Sequence, residues 1–329
     1  MDLDVVFVGT AASVPSAGRG LSSALVRRGG SRILIDCGEG TQRQLMRSTG
    51  LAELDLVLIT HLHADHVLGL PGMLKTFGLR DREHPLVVAG PPGIAQFFNT
   101  MRSVIGRLPY EVDVREVTSG PVWDDTGLDV YAVPTKHGVP SVGWLLEEED
   151  RPGRFDVDVA TALGVQPGAD FGVLQRGGEV TTADGRTVRS DEVVGGHRYG
   201  RRIVYTGDTA ACDTVRDAAR DATLLIHEAT FLQEDVERAR ATRHSTALDA
   251  ALTAAAANVT MLALTHISTR YIPRTLGEEA ATVFDNTVVA RDFDLIELPF
   301  PERGEPRHVV RGARQRDAAH GATLGTTTP

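Results

Sequence analysis

The amino-acid sequence predicts an α/β fold made of two related halves packed sheet to sheet. Short runs of β-branched and apolar residues alternate with amphipathic helical patterns along the chain, as expected where helices cover sheets. The second half also echoes the first. Leu58-Ile59-Thr60-His61-Leu62-His63 resembles Leu262-Ala263-Leu264-Thr265-His266-Ile267, and Ile33-Leu34-Ile35-Asp36 with Gly38 resembles Ile203-Val204-Tyr205 with Gly207-Asp208. Each is an apolar strand running into a polar turn.

Strands are expected at Val5–Gly9, Leu21–Arg27, Ile33–Asp36, Leu54–Thr60, Leu86–Ala89, Val112–Val117 and Leu128–Val133, where β-branched residues are bounded by turn chemistry. Helical spacing appears at Thr41–Ser48, Val67–Phe77 and Gly93–Ile105. In the second half, strands are expected at Ile203–Thr206, Leu224–Glu228, Met261–Thr265 and Asp294–Leu298, and helices at Phe231–Arg240, Thr246–Ala256 and Thr275–Val289. Between the halves, residues 149–201 are rich in Gly, Asp and Arg with only short apolar patches, and read as an insertion protruding from the core. The domain division is therefore 1–300 for the main body, 149–201 for the insertion and 301–329 for a flexible tail that carries Arg303, Arg307, Arg311, Arg314 and Arg316.

A 329-residue chain with 42% hydrophobic and 24% charged residues can bury a large core, which excludes a disordered or membrane-embedded class. No apolar stretch reaches the ~18 residues of a spanning helix, and no basic region precedes the apolar run near the N-terminus. No membrane partner and a cytoplasmic location are expected. Cys37 and Cys212 lie outside any paired metal spacing and read as free thiols. The net charge of −10 runs against a nucleic-acid partner, because phosphate binding usually leaves a basic footprint.

The segment His61-Leu62-His63-Ala64-Asp65-His66 follows an apolar strand and precedes an apolar helix. In extended backbone His61 and His63 project to one side, and a turn into the helix swings Asp65 and His66 towards a neighbouring point. One short segment can thus serve two adjacent metals. Neutral imidazole and carboxylate suit Zn²⁺, although Mn²⁺, Fe or Co²⁺ tolerate the same donors. Four residues cannot complete two coordination shells, and three further polar residues at strand ends supply candidates: His137, Asp208 and His266.

The sequence is similar to the metallo-β-lactamase superfamily and, within it, to the RNase Z (tRNA 3′-endonuclease) family over most of residues 1 to 298. The resemblance rests on Gly9-Thr10 with Pro15, Asp36-Cys37-Gly38-Glu39-Gly40-Thr41, the metal motif continuing to Gly69-Leu70-Pro71-Gly72, His227-Glu228-Ala229-Thr230-Phe231, His244-Ser245-Thr246, and Leu264-Thr265-His266-Ile267-Ser268 with Arg270-Tyr271. It implies a four-layer αββα sandwich and two zinc ions per subunit. One would be held by His61, His63 and His137, the other by Asp65, His66 and His266, with Asp208 bridging. Asp65, His244 and Glu228 are the implied catalytic residues, precursor tRNA the implied substrate, and a homodimer the implied assembly. Water held between two dications is acidified to a pKa near ~7, so no protein nucleophile is needed. Asp65 would orient it or take its proton, and His244, oriented by Glu228, would protonate the leaving 3′-oxygen.

The insertion resembles the arm with which this family clamps tRNA. Asp150-Arg151-Pro152-Gly153-Arg154-Phe155 matches its start and Gly164 to Gly177 its Gly/Pro-rich tip, except that Gly168-Ala169 stands where the family commonly has Gly-Pro. Without proline's fixed φ, that tip is expected to be looser. Two other readings compete. A different hydrolase on the same fold would need neither the arm nor the Glu228/His244 pair, and a catalytically silent RNA-binding homologue would have a broken ligand set. A redox member of the superfamily would carry a carboxylate at the position of His63. His84, His197, His308 and His320 have no partner spacing and are given no role, and His227 is read as a neighbour of the site.

Overall fold

The computed structural model describes residues 2–125 and 127–310. Two sheets dominate it. In the first, the strand order is Arg307–Val309, Leu295–Glu297, Leu3–Gly9, Ser23–Arg28, Ser31–Ile35, Leu56–Leu58, Leu86–Gly90 and Val112–Glu116. In the second it is Thr287–Val289, Met261–Thr265, Leu224–Glu228, Arg202–Tyr205, Val142–Glu148, Leu128–Pro134 and Gly120–Asp125.

Period-two alternation decides which face of each strand meets which layer. In the first strand Val5 and Phe7 enter the core between the sheets with Ile33, Ile35, Trp144, Ile203 and Ile226. Val6 and Val8 point the other way, into a cluster with Leu45, Leu70, Phe77 and Ile94 from the helices Thr41–Ser48, Leu70–Leu79 and Ile94–Ile105. The second sheet does the same with Val204, Leu225, Leu262 and Leu264 against Val215, Ala250, Ala254 and Leu276 of the helices Asp213–Ala218, Ala247–Ala256 and Pro273–Ala281. Both faces of both sheets are buried, which gives the expected αββα order and explains why the parallel strands read as continuous apolar runs.

Several expectations need correction. The strand Val142–Glu148, with Trp144 fully buried, was not anticipated, because its Gly-Trp-Leu-Leu core lacks alternation and runs into four consecutive acidic residues. The helix expected over Thr275–Val289 ends at Ala281, and Thr287-Val288-Val289 pairs with Leu262–Leu264 instead; β-branched residues prefer the pleated ladder to a helix. The helix expected from Val67 begins at Ala64, so Asp65 and His66 lie in its short first turn, and a second helix starts at Leu70. The helix expected from Phe231 is a 3₁₀ turn, Gln233–Asp235, followed by Val236–Thr242, because Phe231 pairs with Thr246. The flexible tail expected from 301 includes the strand Arg307–Val309, anchored by its ladder to Leu295–Glu297 and by His308 Nε2 against the buried Asp294 carboxylate at 2.8 Å. Arg311, Arg314, Arg316 and the rest of that tail lie outside the described residues, as does His320.

Residues Glu147–Gly200 form a compact unit of their own. It holds the helices Val157–Ala162, Ala169–Gln175 and Ser190–Val193, a hairpin of Glu179–Thr181 with Thr187–Arg189, and a small core of Ala160, Val165, Leu174, Val180, Val188 and Val193. The segment 164–177 is therefore not all loop. Ala169 opens a helix after Gly168 at φ 139, and the first helical position is one where proline is also tolerated.

Candidate metal centre

Each sheet delivers polar residues from the C-terminal ends of its strands to a common edge, the usual place for a site in α/β proteins. Asp36 follows Ser31–Ile35, His61 follows Leu56–Leu58, His137 follows Leu128–Pro134, Asp208 follows Arg202–Tyr205 and His266 follows Met261–Thr265. Backbone bridges join the sheets at this edge: His61 pairs with Ser141, and Ala11 with Ile267. Two glycines let the first-sheet turn meet the metal motif. Cys37 N donates to His66 O at 2.7 Å and Gly69 N to Cys37 O at 2.8 Å. A Cβ on Gly38 would lie 2.3 Å from the Asp65 carbonyl oxygen and one on Gly69 2.1 Å from that of Gly38, so no other residue fits either position without a backbone shift.

The structure brings the seven candidate ligands together. His61, His63, His137 and Asp208 form one group and Asp65, His66 and His266 a second, with donor atoms within 4.8 Å of one another in each; Asp208 also groups with His244 and His266. All seven are buried except His63, which is exposed. His61 Nε2 lies 2.9 Å from His63 Nδ1, His137 Nε2 3.3 Å from His63 Nδ1, and His66 Nε2 3.4 Å from His266 Nε2.

Those facing nitrogens cannot all carry protons, and the far side of each ring says which do not. His66 Nδ1 donates to Asp36 Oδ2 at 2.7 Å and His137 Nδ1 to the Arg243 carbonyl at 3.1 Å. His266 Nδ1 meets Thr230 Oγ1 at 2.8 Å and His61 Nδ1 meets Thr60 Oγ1 at 3.1 Å, while both hydroxyls give their own protons to carboxylates, Glu228 and Asp36. Four imidazoles therefore turn Nε2 lone pairs inward. Asp208 Oδ1 is buried with no hydrogen-bond donor and lies 3.4 Å from His66 Nε2. Converging lone pairs beside an orphaned carboxylate oxygen fit a divalent cation.

The electrostatics agree for all but His66, where burial opposes protonation but Asp208 and Asp36 outweigh it and hold the imidazole well above its ordinary range. Burial alone would raise the pKa of Asp208, but His266, His66 and His61 hold it well below the usual carboxylate range, and Asp65 is held low by His266 and His66 in the same way. Burial pushes His61 and His137 down, which keeps them neutral. Asp36, with no solvent contact, is pushed up.

Glu228 and His244 stand next to the ligands. His244 Nδ1 is 2.9 Å from Glu228 Oε1 and 3.9 Å from Asp208 Oδ2. Thr209 N donates to Glu228 Oε1 at 2.7 Å, and the Thr230 hydroxyl gives Oε2 a short bond. Burial opposes protonation of His244, yet Glu228 outweighs it and carries the imidazole up to about 9. His227 is buried, with Nδ1 on its neighbour's carbonyl, Glu228 O, at 2.8 Å.

Four contributors carry no role in the sequence reading. Asp36 orients His66, and as a polar residue ending an apolar strand it met the same criterion as the ligands. Thr60 and Thr230 fix imidazole tautomers, and the Ser13 amide donates to Asp65 Oδ2 at 2.8 Å. Hydroxyls and backbone amides leave no spacing signature.

A metallo-β-lactamase superfamily model matches residues 18–266. The chain is 45% identical over 308 residues to a ribonuclease Z of Haloferax volcanii, covering 92% of this chain and 97% of that protein. It is 42% identical over 302 residues to a ribonuclease Z of Methanosarcina acetivorans, covering 91% and 99%. Among solved structures, the short form of human tRNase Z aligns with a TM-score of 0.67 at 29% identity, covering 90% of this chain and 99% of that one.

Because Asp36 fixes the tautomer of His66, replacing Asp36 with Ala is expected to weaken metal binding about 10- to 100-fold. Competition with a chromogenic chelator at neutral pH, on protein shown to be folded by circular dichroism, measures this. Unchanged affinity would leave Asp36 a packing residue only.

Proposed function

This chain is a member of the ribonuclease Z family of the metallo-β-lactamase superfamily, hydrolases that act on tRNA, and from that premise we propose that it is a zinc-dependent endoribonuclease that removes the 3′ trailer from precursor tRNA. The products would be a tRNA with a free 3′-hydroxyl and a trailer with a 5′-phosphate. The observation that carries this reading is the adjacency of two parts: a ligand set with its lone pairs turned inward, and the His244–Glu228 pair beside it.

A pair of divalent ions held by His61, His63, His137, Asp65, His66 and His266, with Asp208 between them, would supply Lewis-acid charge and acidify water to near neutral pH. Asp65 Oδ2 is fixed by the Ser13 amide and faces His266 Nε2 at 3.3 Å, so Oδ1 is the atom that orients the attacking water and takes its proton. In-line attack at phosphorus sends the 3′-oxygen out on the opposite side, where it needs a proton. His244 commits Nδ1 to Glu228, which leaves Nε2 to donate. Glu228 already accepts from Thr209, Thr230 and His244, so it acts as a fixed anion and not as a mobile acid.

The unit Glu147–Gly200 would hold the tRNA, and in a homodimer it would serve the site of the other subunit. Its composition gives no basic excess: six arginines stand against eleven acidic residues between 147 and 200. Backbone amides and shape would therefore carry recognition more than net charge. The described residues contain no helix long and apolar enough to cross a membrane, and we place the activity in the cytoplasm with its RNA substrate, which cell fractionation tests.

Incubation with a 3′-extended precursor tRNA should give the two named ends, and chelation should stop the reaction. Intact RNA under conditions where a small phosphodiester is hydrolysed would refute the assignment. Mixing an Asp65→Ala chain with a chain lacking 155–189 should restore processing that neither shows alone; no restoration would contradict the exchange of arms. The pH profile gives an independent check. His244 is held up to about 9 by Glu228, so its donor form is complete well below that value and is lost as pH rises through it. Glu228→Gln should move this alkaline limb to lower pH, since burial remains and the anion does not; an unmoved limb would remove His244 from the protonation step.

A further inference from the structure

Arg243 occupies a backbone position that glycine takes more easily. It ends the helix Val236–Thr242 at φ 56 and ψ 48, in the left-handed region. Among the described residues the non-glycines with positive φ are Ser13, Asp36, Asp81, Asp221, Arg243, Asn258, His266 and Phe293. Asp, Asn and His tolerate this conformation. That leaves Ser13, Arg243 and Phe293, and the first serves the centre directly: the Ser13 amide holds Asp65. Strained backbone that persists beside a site points to a function for the residue that bears it.

The contacts of Arg243 have the same bias. Its carbonyl accepts from His137 Nδ1 at 3.1 Å, its Nη1 donates to the His137 carbonyl at 2.8 Å, and the next residue in the chain is His244. The Arg243 backbone carbonyl alone meets the His137 imidazole, so the guanidinium is not needed to orient that ring. The residue is exposed, and among the described residues no carboxylate pairs with its guanidinium. Most of the five donors of an arginine fork therefore remain for something else. In a chain with a net charge of −10, this is an unpaired cation on the open side of the centre, where His63 and His244 also reach solvent.

We propose that Arg243 is a substrate-contacting residue: its guanidinium takes a non-bridging oxygen of a phosphate flanking the scissile one, which registers the RNA against His244. The inference rests on the endoribonuclease reading above. Charge-assisted bonds from arginine to phosphate are short, directional and screened by salt. The strained conformation then has a reason, since glycine there would relax the backbone and remove the contact.

The test uses the full-length, metal-loaded chain and a set of precursor tRNAs, each carrying one neutral methylphosphonate linkage near the cleavage position. Wild type is expected to lose about 10-fold in affinity at one linkage. Arg243→Met should bind unmodified RNA about 10-fold more weakly, be indifferent to that same linkage, and lower the salt slope of binding by about 1. Arg243→Gly should share the RNA defect while retaining metal and unfolding no earlier than wild type, which separates a contact from a brace. The inference is overturned if either variant binds unmodified RNA as wild type does, keeps the wild-type sensitivity to that linkage, or loses metal. Wild type that processes precursor tRNA beside variants that bind it equally well would sink this inference alone; wild type that neither binds nor cuts the RNA would sink the endoribonuclease reading as well.

Discussion

The structure depends on one electrostatic constraint: three aspartates, Asp36, Asp65 and Asp208, and a glutamate, Glu228, are buried with four imidazoles at one edge of the sandwich. Burying a carboxylate costs several kcal/mol unless a donor or a cation meets it. Asp36 and Glu228 are met by hydroxyls, amides and imidazole N–H groups. Asp208 Oδ1 is not. Much of the local architecture follows from that difference. Asp36 and His266 take left-handed backbone, Gly38 and Gly69 give up a side chain so that two turns can touch, and both sheets end their strands at the same edge.

How much of this was legible in the sequence follows from how each signal is encoded. Fully buried parallel strands such as Leu224–Glu228 and Met261–Thr265 read as short apolar runs ending in polar residues, and their bounds agree between sequence and structure. The polar residue after such a run is visible for the same reason, which is how His137, Asp208 and His266 join a motif more than 70 residues away from the nearest of them. The internal echo is visible too, although its strands are not equivalent neighbours: Ser31–Ile35 pairs with Leu56–Leu58, whereas Arg202–Tyr205 pairs with Leu224–Glu228 and not with Met261–Thr265. What failed was local preference overruled by tertiary packing. Val142–Glu148 is a strand because Trp144 fills the space between the sheets, and Thr287–Val289 is a strand because an edge was available beside Met261–Thr265.

The hydrogen-bond layer behind the ligands was the least legible part. Thr60, Thr230 and Ser13 act through a hydroxyl or an amide, groups that nearly every loop possesses. Their effect is nevertheless decisive: the two hydroxyls determine which nitrogens of His61 and His266 are free to bind a cation, and the Ser13 amide fixes one oxygen of Asp65. Arg243 belongs to the same class: its neighbours in sequence say little, and its importance appears only when its backbone angle and its contact with His137 are known. The acidity of the chain also becomes less puzzling. On the proposed reading, the RNA would need a few well-placed donors at the cleavage point and a shaped surface elsewhere, and neither requires a basic average.

A two-cation centre built on Asp208 is tested most directly by anomalous scattering from crystals grown with the bound metal. Two peaks about 3.5–4 Å apart are predicted, one among His61, His63 and His137 and the other among Asp65, His66 and His266, with an Asp208 oxygen in contact with both. A single fully occupied peak, or two peaks with His266 or Asp208 outside the coordination shell, would contradict the account.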